Sequence, residues 1–122
     1  MSQEKPVLLL VENDPLSLSL YDRELNPYYS ILTCKNEADA RFALQNEKIS
    51  LLILEPASGN DWVWDLLKQI KMKEETAKIP VIFCSVLDEK KKGLEQGASA
   101  YLIKPVYANV LRQYVQGFLK TQ

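Results

Sequence analysis

Four groups of polar side chains in this chain follow short apolar runs, at the points where buried strands are expected to end. If those strands are parallel, all four groups lie at one edge of the sheet, where α/β proteins bind ligands. Carboxylates suit Mg²⁺, a lysine offers positive charge to a phosphoryl group, and a hydroxyl can hydrogen-bond it. The groups indicate parts of a phosphoryl-transfer site: Glu12, Asn13 and Asp14 after Pro6 to Val11, Glu55 after Ile49 to Leu54, Ser85 after Pro80 to Cys84, and Lys104 after Tyr101 to Ile103.

Each of these side chains also has a simpler interpretation. Glu12 or Asp14 could cap a helix, Ser85 could end a strand, and Lys104 could be a solvated surface residue. The coincidence of four such groups at strand ends is what favours a functional site over these separate explanations.

Composition is typical of one globular domain. Of 122 residues, 47% are hydrophobic and 25% charged, and we predict a single domain over residues 1–122 with its core at about 6–119. A net charge of −1 creates no field that would attract nucleic acid or a membrane surface. The longest apolar run, Val7 to Val11, is far too short to span a bilayer. The polar N-terminus does not resemble a signal peptide, so we expect a cytoplasmic protein.

Histidine is absent from the chain. This excludes His-based metal sites, Ser-His or Cys-His nucleophilic machinery and a phosphohistidine donor. The two cysteines, Cys34 and Cys84, lie in strand-like runs, and we expect them to be buried and free. We also expect that the chain is not an enzyme, since it contains no recognisable enzymatic output domain.

Strand-like and helix-like segments alternate along the chain. Five such pairs with short connections predict a parallel sheet with helices on both faces, an α/β doubly wound fold of strand order 2-1-3-4-5. Asp14 and Asp61 are expected to cap helices, and Gly97 to end one. The predicted strands are Val7 to Val11, Tyr29 to Cys34, the run ending at Glu55, Val81 to Cys84 and Ala100 to Ile103. The predicted helices are Pro15 to about Leu25, about Asn36 to Gln45, one from Asp61 carrying Val63, Leu66, Leu67 and Ile70, about Asp88 to Gln96, and about Ala108 to Lys120.

Four stretches of the sequence closely resemble a bacterial response-regulator receiver domain, a CheY-like member of the two-component phosphorelay systems. They are Leu8 to Pro15, Ser50 to Glu55, Ile79 to Ser85 and Gly97 to Val106, of which the last is the most specific. The resemblance extends from about Pro6 to Leu119. It implies that a histidine kinase or an output protein is the partner and that the output surface comprises the fourth helix, fifth strand and last helix.

The same resemblance implies a role for each site residue. Glu55 takes the place of the phosphoaccepting aspartate, and Lys104 that of the lysine that contacts the phosphoryl group. Ser85 and Tyr101 take the places of the switch residues, and the bond before Pro105 resembles one that is cis in the family. The metal ligands would be Glu12, Asn13, Glu55 and the carbonyl of Ala57.

Two departures from the family pattern weaken the same chemistry. Glu55 has one more methylene than aspartate, which moves its carboxylate by about 1.5 Å, one C–C bond. In-line attack tolerates little error, since a misplacement of about 1 Å can cost roughly 100-fold. Asn13 is neutral where a carboxylate would help to hold Mg²⁺. We therefore predict a pseudo-receiver that acts by protein contact, without ordinary phosphorylation and with weak Mg²⁺ binding at most.

Other interpretations remain open at this point. The chain could be an ordinary Mg²⁺-dependent receiver, with Glu55 or Asp61 accepting the phosphoryl group from a histidine kinase. Alternatively, Glu55 could pair with Lys104 and hold an active-like state, in which case Ser85 leans toward Glu55 and Tyr101 points inward. A flavodoxin-like FMN carrier would need a loop of amides after the first strand, where the acids at 12 and 14 would repel phosphate.

Overall fold

The computed structural model describes residues 5–56 and 59–120 and contains five strands and five helices within them. The strands form one parallel sheet of order β2-β1-β3-β4-β5, which confirms the predicted fold class. The elements are β1 Val7–Val11, α1 Pro15–Leu25, β2 Ser30–Cys34, α2 Glu37–Asn46, β3 Leu51–Leu54, α3 Trp62–Met72, β4 Val81–Ser85, α4 Lys90–Glu95, β5 Ala100–Ile103 and α5 Ala108–Phe118.

The core forms two layers because successive side chains of a strand point to opposite faces of the sheet. Leu9 and Val11 of β1 pack with α2 and α3 on one face. Leu8 and Leu10 pack with α1 and α5 on the other. Since β1 is buried on both faces, it is apolar throughout, as its sequence predicts.

Four of the five helix starts, those of α1, α2, α3 and α5, agree with the sequence, and that of α4 differs. Asp14 caps α1 by accepting a hydrogen bond from the backbone N–H of Ser17, and Asn36 caps α2 through Asp39. Asp61 occupies the N-cap position of α3, as predicted, but its side chain makes no capping hydrogen bond. The predicted start of the fourth helix at about Asp88 is too early, because α4 begins at Lys90.

Both cysteines are buried and free, as expected. Burial is the largest of the effects that raise the pKa of the Cys84 thiol to about 12, so this thiol stays protonated at neutral pH. No helix among the residues that the structure describes is long and apolar enough to cross a membrane.

Candidate functional site

The strand registers bring the polar side chains together at the carboxyl edge of the sheet. Val11 of β1 is paired with Leu54 of β3, so Glu12 and Glu55 emerge side by side. Ser85 ends β4 opposite Ile103 of β5, and the next residue, Lys104, donates its backbone N–H to the Ser85 carbonyl at 2.8 Å. The predicted convergence of these four residues at one edge is therefore present.

Lys104 forms the electrostatic centre of this cluster. Its Nζ lies 2.9 Å from Oε1 and 3.0 Å from Oε2 of Glu12, but 3.8 Å from the nearer oxygen of Glu55. All three side chains are largely buried, where an unpaired charge is costly. Lys104 thus contacts both carboxylates, as expected for Glu55, but its close partner is Glu12.

Glu55 is the less well satisfied of the two carboxylates. Its Oε1 is buried and has no hydrogen-bond partner among the described residues. Burial raises the pKa of Glu55 above its ordinary value of 4.5, and the nearby Glu12 adds to the increase. Lys104, the hydroxyl of Ser85 and the backbone of Val86 oppose it only in part. Desolvation outweighs the ion pair because Lys104 is too far away for a hydrogen bond.

The two residues predicted to act as a switch are both buried. Ser85 is fully buried, and its Oγ accepts a hydrogen bond from the backbone N–H of Leu87 at 3.1 Å. Tyr101 points inward, with 3% of its surface exposed, and its hydroxyl donates to the Leu87 carbonyl at 2.7 Å. Both side chains therefore hold the segment between β4 and α4.

An aromatic stack that the sequence analysis did not identify supports Tyr101. The ring of Phe83 lies 5.6 Å from Tyr101 and 4.9 Å from Trp64, between centroids. Gly93 of α4 packs against the Tyr101 ring as well, since a Cβ atom at position 93 would lie 2.6 Å from Cδ2 of Tyr101. An isolated glycine within a helical segment was the available signal, because such a glycine often has a packing role.

A second residue that the sequence analysis did not single out is Asn60. Only 3% of its surface is exposed, and its side-chain amide donates a hydrogen bond to the backbone carbonyl of Glu55 at 3.1 Å. Gly59 precedes it with a φ of +85°, a conformation that favours glycine. The sequence alone did not predict that Asn60 fixes the backbone of Glu55.

The remaining predicted ligands lie at the rim or beyond the described residues. Asn13 is exposed and lines a cavity of about 630 Å³ together with Glu12, Asp14, Pro15, Glu55, Val86 and Lys104. Ala57 lies outside the residues that the structure describes, so its carbonyl is not placed. The Lys104–Pro105 peptide bond is cis.

Mg²⁺, the ion that the fold family implies, fits the described part of this site poorly. No group of three or more His, Cys, Asp or Glu residues that could hold a metal ion occurs among residues 5–56 and 59–120. The Lys104 ammonium lies within 3.0 Å of both oxygens of Glu12, where it neutralises the charge that would attract a cation. Asn13 adds only a neutral amide to the set.

Comparisons with known proteins place this geometry in a family. The family model described as the response regulator receiver domain matches residues 8–116. The chain is 28% identical over 118 residues to a Vibrio cholerae protein named "Probable cyclic di-GMP phosphodiesterase", and 28% identical over 115 residues to the transcriptional regulatory protein CiaR of Streptococcus pneumoniae. These matches cover 94% and 93% of the chain, but only 27% and 51% of the two relatives.

A solved structure shows the same fold. A response regulator from Thermotoga maritima superposes with a TM-score of 0.81 at 22% identity, covering 96% of this chain and 99% of that one. The five-stranded order and the family match agree with each other. The chain therefore belongs to the response regulator receiver domain family of two-component signalling systems.

Proposed function

We propose that this receiver domain is a pseudo-receiver, a cytoplasmic signalling module that acts by contact with a protein partner and is not phosphorylated in the usual way. The partner would be a histidine kinase or an output protein or domain, and the module would have no enzymatic activity of its own. Glu55 would then be the equivalent of the phosphoacceptor without its chemistry.

The observation that carries this proposal is the arrangement around Lys104. The ammonium of Lys104, the residue equivalent to the phosphoryl-contacting lysine, lies against Glu12, at 2.9 and 3.0 Å. Among the residues that the structure describes, the buried Oε1 of Glu55 has no hydrogen-bond partner, and burial raises the pKa of this carboxyl. The extra methylene also moves the carboxylate away from the position that in-line attack requires.

Exposed apolar side chains support a function in protein contact. Ile103 at the end of β5, Tyr107 directly before α5 and Tyr114 on α5 are 41%, 80% and 42% exposed. They line part of a cavity of about 310 Å³ that also reaches Lys90 of α4. Clusters of exposed aromatic and aliphatic side chains are enriched at protein interaction surfaces.

A flavin-binding function has no supporting observation. The loop after β1 presents the buried Glu12 carboxylate and the exposed Asp14, and both would repel a phosphate group. One backbone amide of this loop, the Asp14 N–H, already donates a hydrogen bond to the Glu12 carboxylate. Visible absorbance of the purified protein is expected to show no flavin.

Mass spectrometry after incubation with acetyl phosphate and Mg²⁺ tests the proposal. We expect the unmodified protein to gain no phosphoryl group. Glu55→Asp alone should restore little, because the charge at Asn13 is still missing, whereas Asn13→Asp with Glu55→Asp should restore more.

The double variant serves as the positive control for the folded scaffold and the reagents. A phosphoryl adduct mapped to Glu55 at high stoichiometry in the unmodified protein would overturn the proposal and identify an ordinary receiver. An adduct mapped to Asp61 would do the same, with a different acceptor.

A further inference from the structure

A groove between α3 and α4 is separate from the cavity around Glu55. We call it the α3–α4 groove. Its volume is about 540 Å³, and it shares no lining residue with the Glu55 cavity. Its lining residues are Trp64, Asp65, Lys68, Lys71, Met72, Lys92 and Gln96.

The groove has an excess of positive charge. Three lysines face one aspartate. Lys71 is committed to the fold, because its ammonium donates to the carbonyls of Ala77 and Ile79 at 3.1 and 3.0 Å. Lys68 and Lys92 are exposed and form no ion pair with a carboxylate in the part of the chain that the structure describes. Two positive charges are therefore available to a ligand.

An aromatic ring and a flexible apolar side chain lie beside these charges. The ammonium of Lys92 lies 4.0 Å from the centroid of the Trp64 ring, a cation–π contact that fixes the ammonium while leaving its outer face open to an anion. Met72 is 74% exposed at the end of α3. Met side chains adapt readily to a partner's apolar groups.

We infer that the α3–α4 groove binds a short acidic segment of a partner protein. Side-chain carboxylates would contact Lys68 and Lys92, and an aliphatic side chain would pack on Met72 and Trp64. This inference goes beyond the proposed function, because it depends on no property of Glu55.

Charge complementarity favours single carboxylates over phosphates as the ligand. The groove extends along α3 from Trp64 to the C-terminal end of this helix at Met72, and it includes Gln96 at the C-terminal end of α4. Helix C-termini carry partial negative charge, which opposes a multiply charged anion more than a single carboxylate. The lining also contains no arginine, the residue whose forked donors bind phosphate in two places.

The floor of the groove is continuous with the packing around Tyr101. Trp64 contacts Phe83, and Phe83 stacks on Tyr101. Lys92 is followed directly by Gly93, which packs against the Tyr101 ring. A bound segment would therefore contact residues that adjoin Tyr101, the switch position.

Fluorescence polarisation with a defined peptide tests the inference on the intact chain. The probe is a fluorescein-labelled peptide of repeated Asp-Leu-Glu units, and the matched control peptide has repeated Asn-Leu-Gln units. We expect only the acidic peptide to bind. In NMR spectra of the protein, the bound peptide should shift the indole N–H resonance of Trp64 more than that of Trp62.

Charge reversal within the groove provides the matched variants. Lys68→Glu with Lys92→Glu should weaken binding by at least about tenfold, which corresponds to ~1.4 kcal/mol. Lys48→Glu, at an exposed position beyond α2, changes the charge without touching the groove and should change the affinity by less than about twofold per charge.

Three results would overturn the inference. The first is no binding of the acidic peptide. The second is an equal loss per reversed charge in the Lys48→Glu variant, which would mean diffuse electrostatic attraction. The third is tighter binding of ATP or of phosphatidylserine vesicles than of the peptide, which would assign the groove to a phosphate-bearing ligand.

Discussion

At the scale of single residues, the site is governed by one cation shared unequally between two buried carboxylates. Lys104 lies within hydrogen-bonding distance of both oxygens of Glu12 and at 3.8 Å from Glu55. The expected ion pair between Glu55 and Lys104 is present, but at a distance beyond a hydrogen bond, and Tyr101 points inward. The closer contact with Glu12 means that Glu55 does not fully replace a phosphoryl group as the partner of Lys104.

The raised pKa of Glu55 predicts a specific pH dependence of stability. In the folded protein Glu55 holds its proton to a higher pH than its ordinary value of 4.5. Between the ordinary pKa of Glu55 and its raised pKa in the folded protein, the unfolded chain binds fewer protons than the folded one. The free energy of unfolding therefore decreases as pH rises through this range, by up to ~1.4 kcal/mol per pH unit. The contribution is fully present below pH 4.5 and is lost above the raised pKa.

Glu55→Gln removes this titration and is the comparison that isolates it. Urea denaturation of both proteins from acid to neutral pH should show the unmodified protein losing stability relative to Glu55→Gln as pH rises. An increase in the relative stability of the unmodified protein over the same range would contradict the prediction and indicate that Lys104 stabilises the ionised Glu55.

At the scale of elements, the position of α4 depends on the absence of a side chain at Gly93. A Cβ atom at this position would lie 2.6 Å from Cδ2 of Tyr101. Gly93→Ala must therefore displace the ring or the helix, at a cost of about 1–3 kcal/mol. Urea denaturation measures this loss directly.

Gly117 of α5 offers a matched control for the same substitution. A Cβ atom there would meet no atom within 4 Å, so Gly117→Ala should stabilise the helix by up to about 1 kcal/mol. Tyr101→Ala should also cost less in the Gly93→Ala protein than in the unmodified one, because the ring is already displaced. Equal effects of the two glycine substitutions would show that the Tyr101 contact does not limit the position of α4.

Local sequence signals predicted most elements because the apolar runs and caps act over short distances. β1, β5 and the start of α1 lie where the sequence placed them. The start of α4 was predicted too early, because residues 88 and 89 lie in a turn in which the Glu89 N–H donates to the Leu87 carbonyl.

Contacts between distant residues were less accessible from the sequence. The parallel sheet predicted which side chains converge, but not which carboxylate Lys104 contacts most closely. The distances from Lys104 to Glu12 and to Glu55 differ by only about 1 Å. Lys104 and Glu12 are 92 positions apart in the sequence, so no local signal indicates their contact. The buried amide of Asn60 and the packing of Gly93 on Tyr101 likewise depend on tertiary contacts.

At the scale of the whole molecule, one layer of the core connects the site to the outer surface. Phe83 is fully buried in β4 and contacts both Trp64 of α3 and Tyr101 of β5. On the other face of the sheet, Arg112 of α5 pairs with Glu24 of α1 at 2.6 Å. This ion pair is partly exposed, and such pairs contribute only ~0–1 kcal/mol. Apolar packing therefore contributes more to the stability of the domain than its surface charges.

The last prediction compares two phenylalanines that differ in burial. Phe83→Ala should cost about 3–5 kcal/mol, a large part of the ~5–15 kcal/mol typical of a domain, whereas Phe42, which is 68% exposed, should cost less than about 0.5 kcal/mol on the same change. Urea denaturation followed by circular dichroism measures both losses. If Phe83→Ala does not fold, Phe83→Leu leaves a smaller cavity and should show a measurable intermediate loss. Similar losses for Phe83→Ala and Phe42→Ala would mean that the Trp64–Phe83–Tyr101 stack contributes little to folding, and that a segment bound in the α3–α4 groove would have no rigid connection to Tyr101.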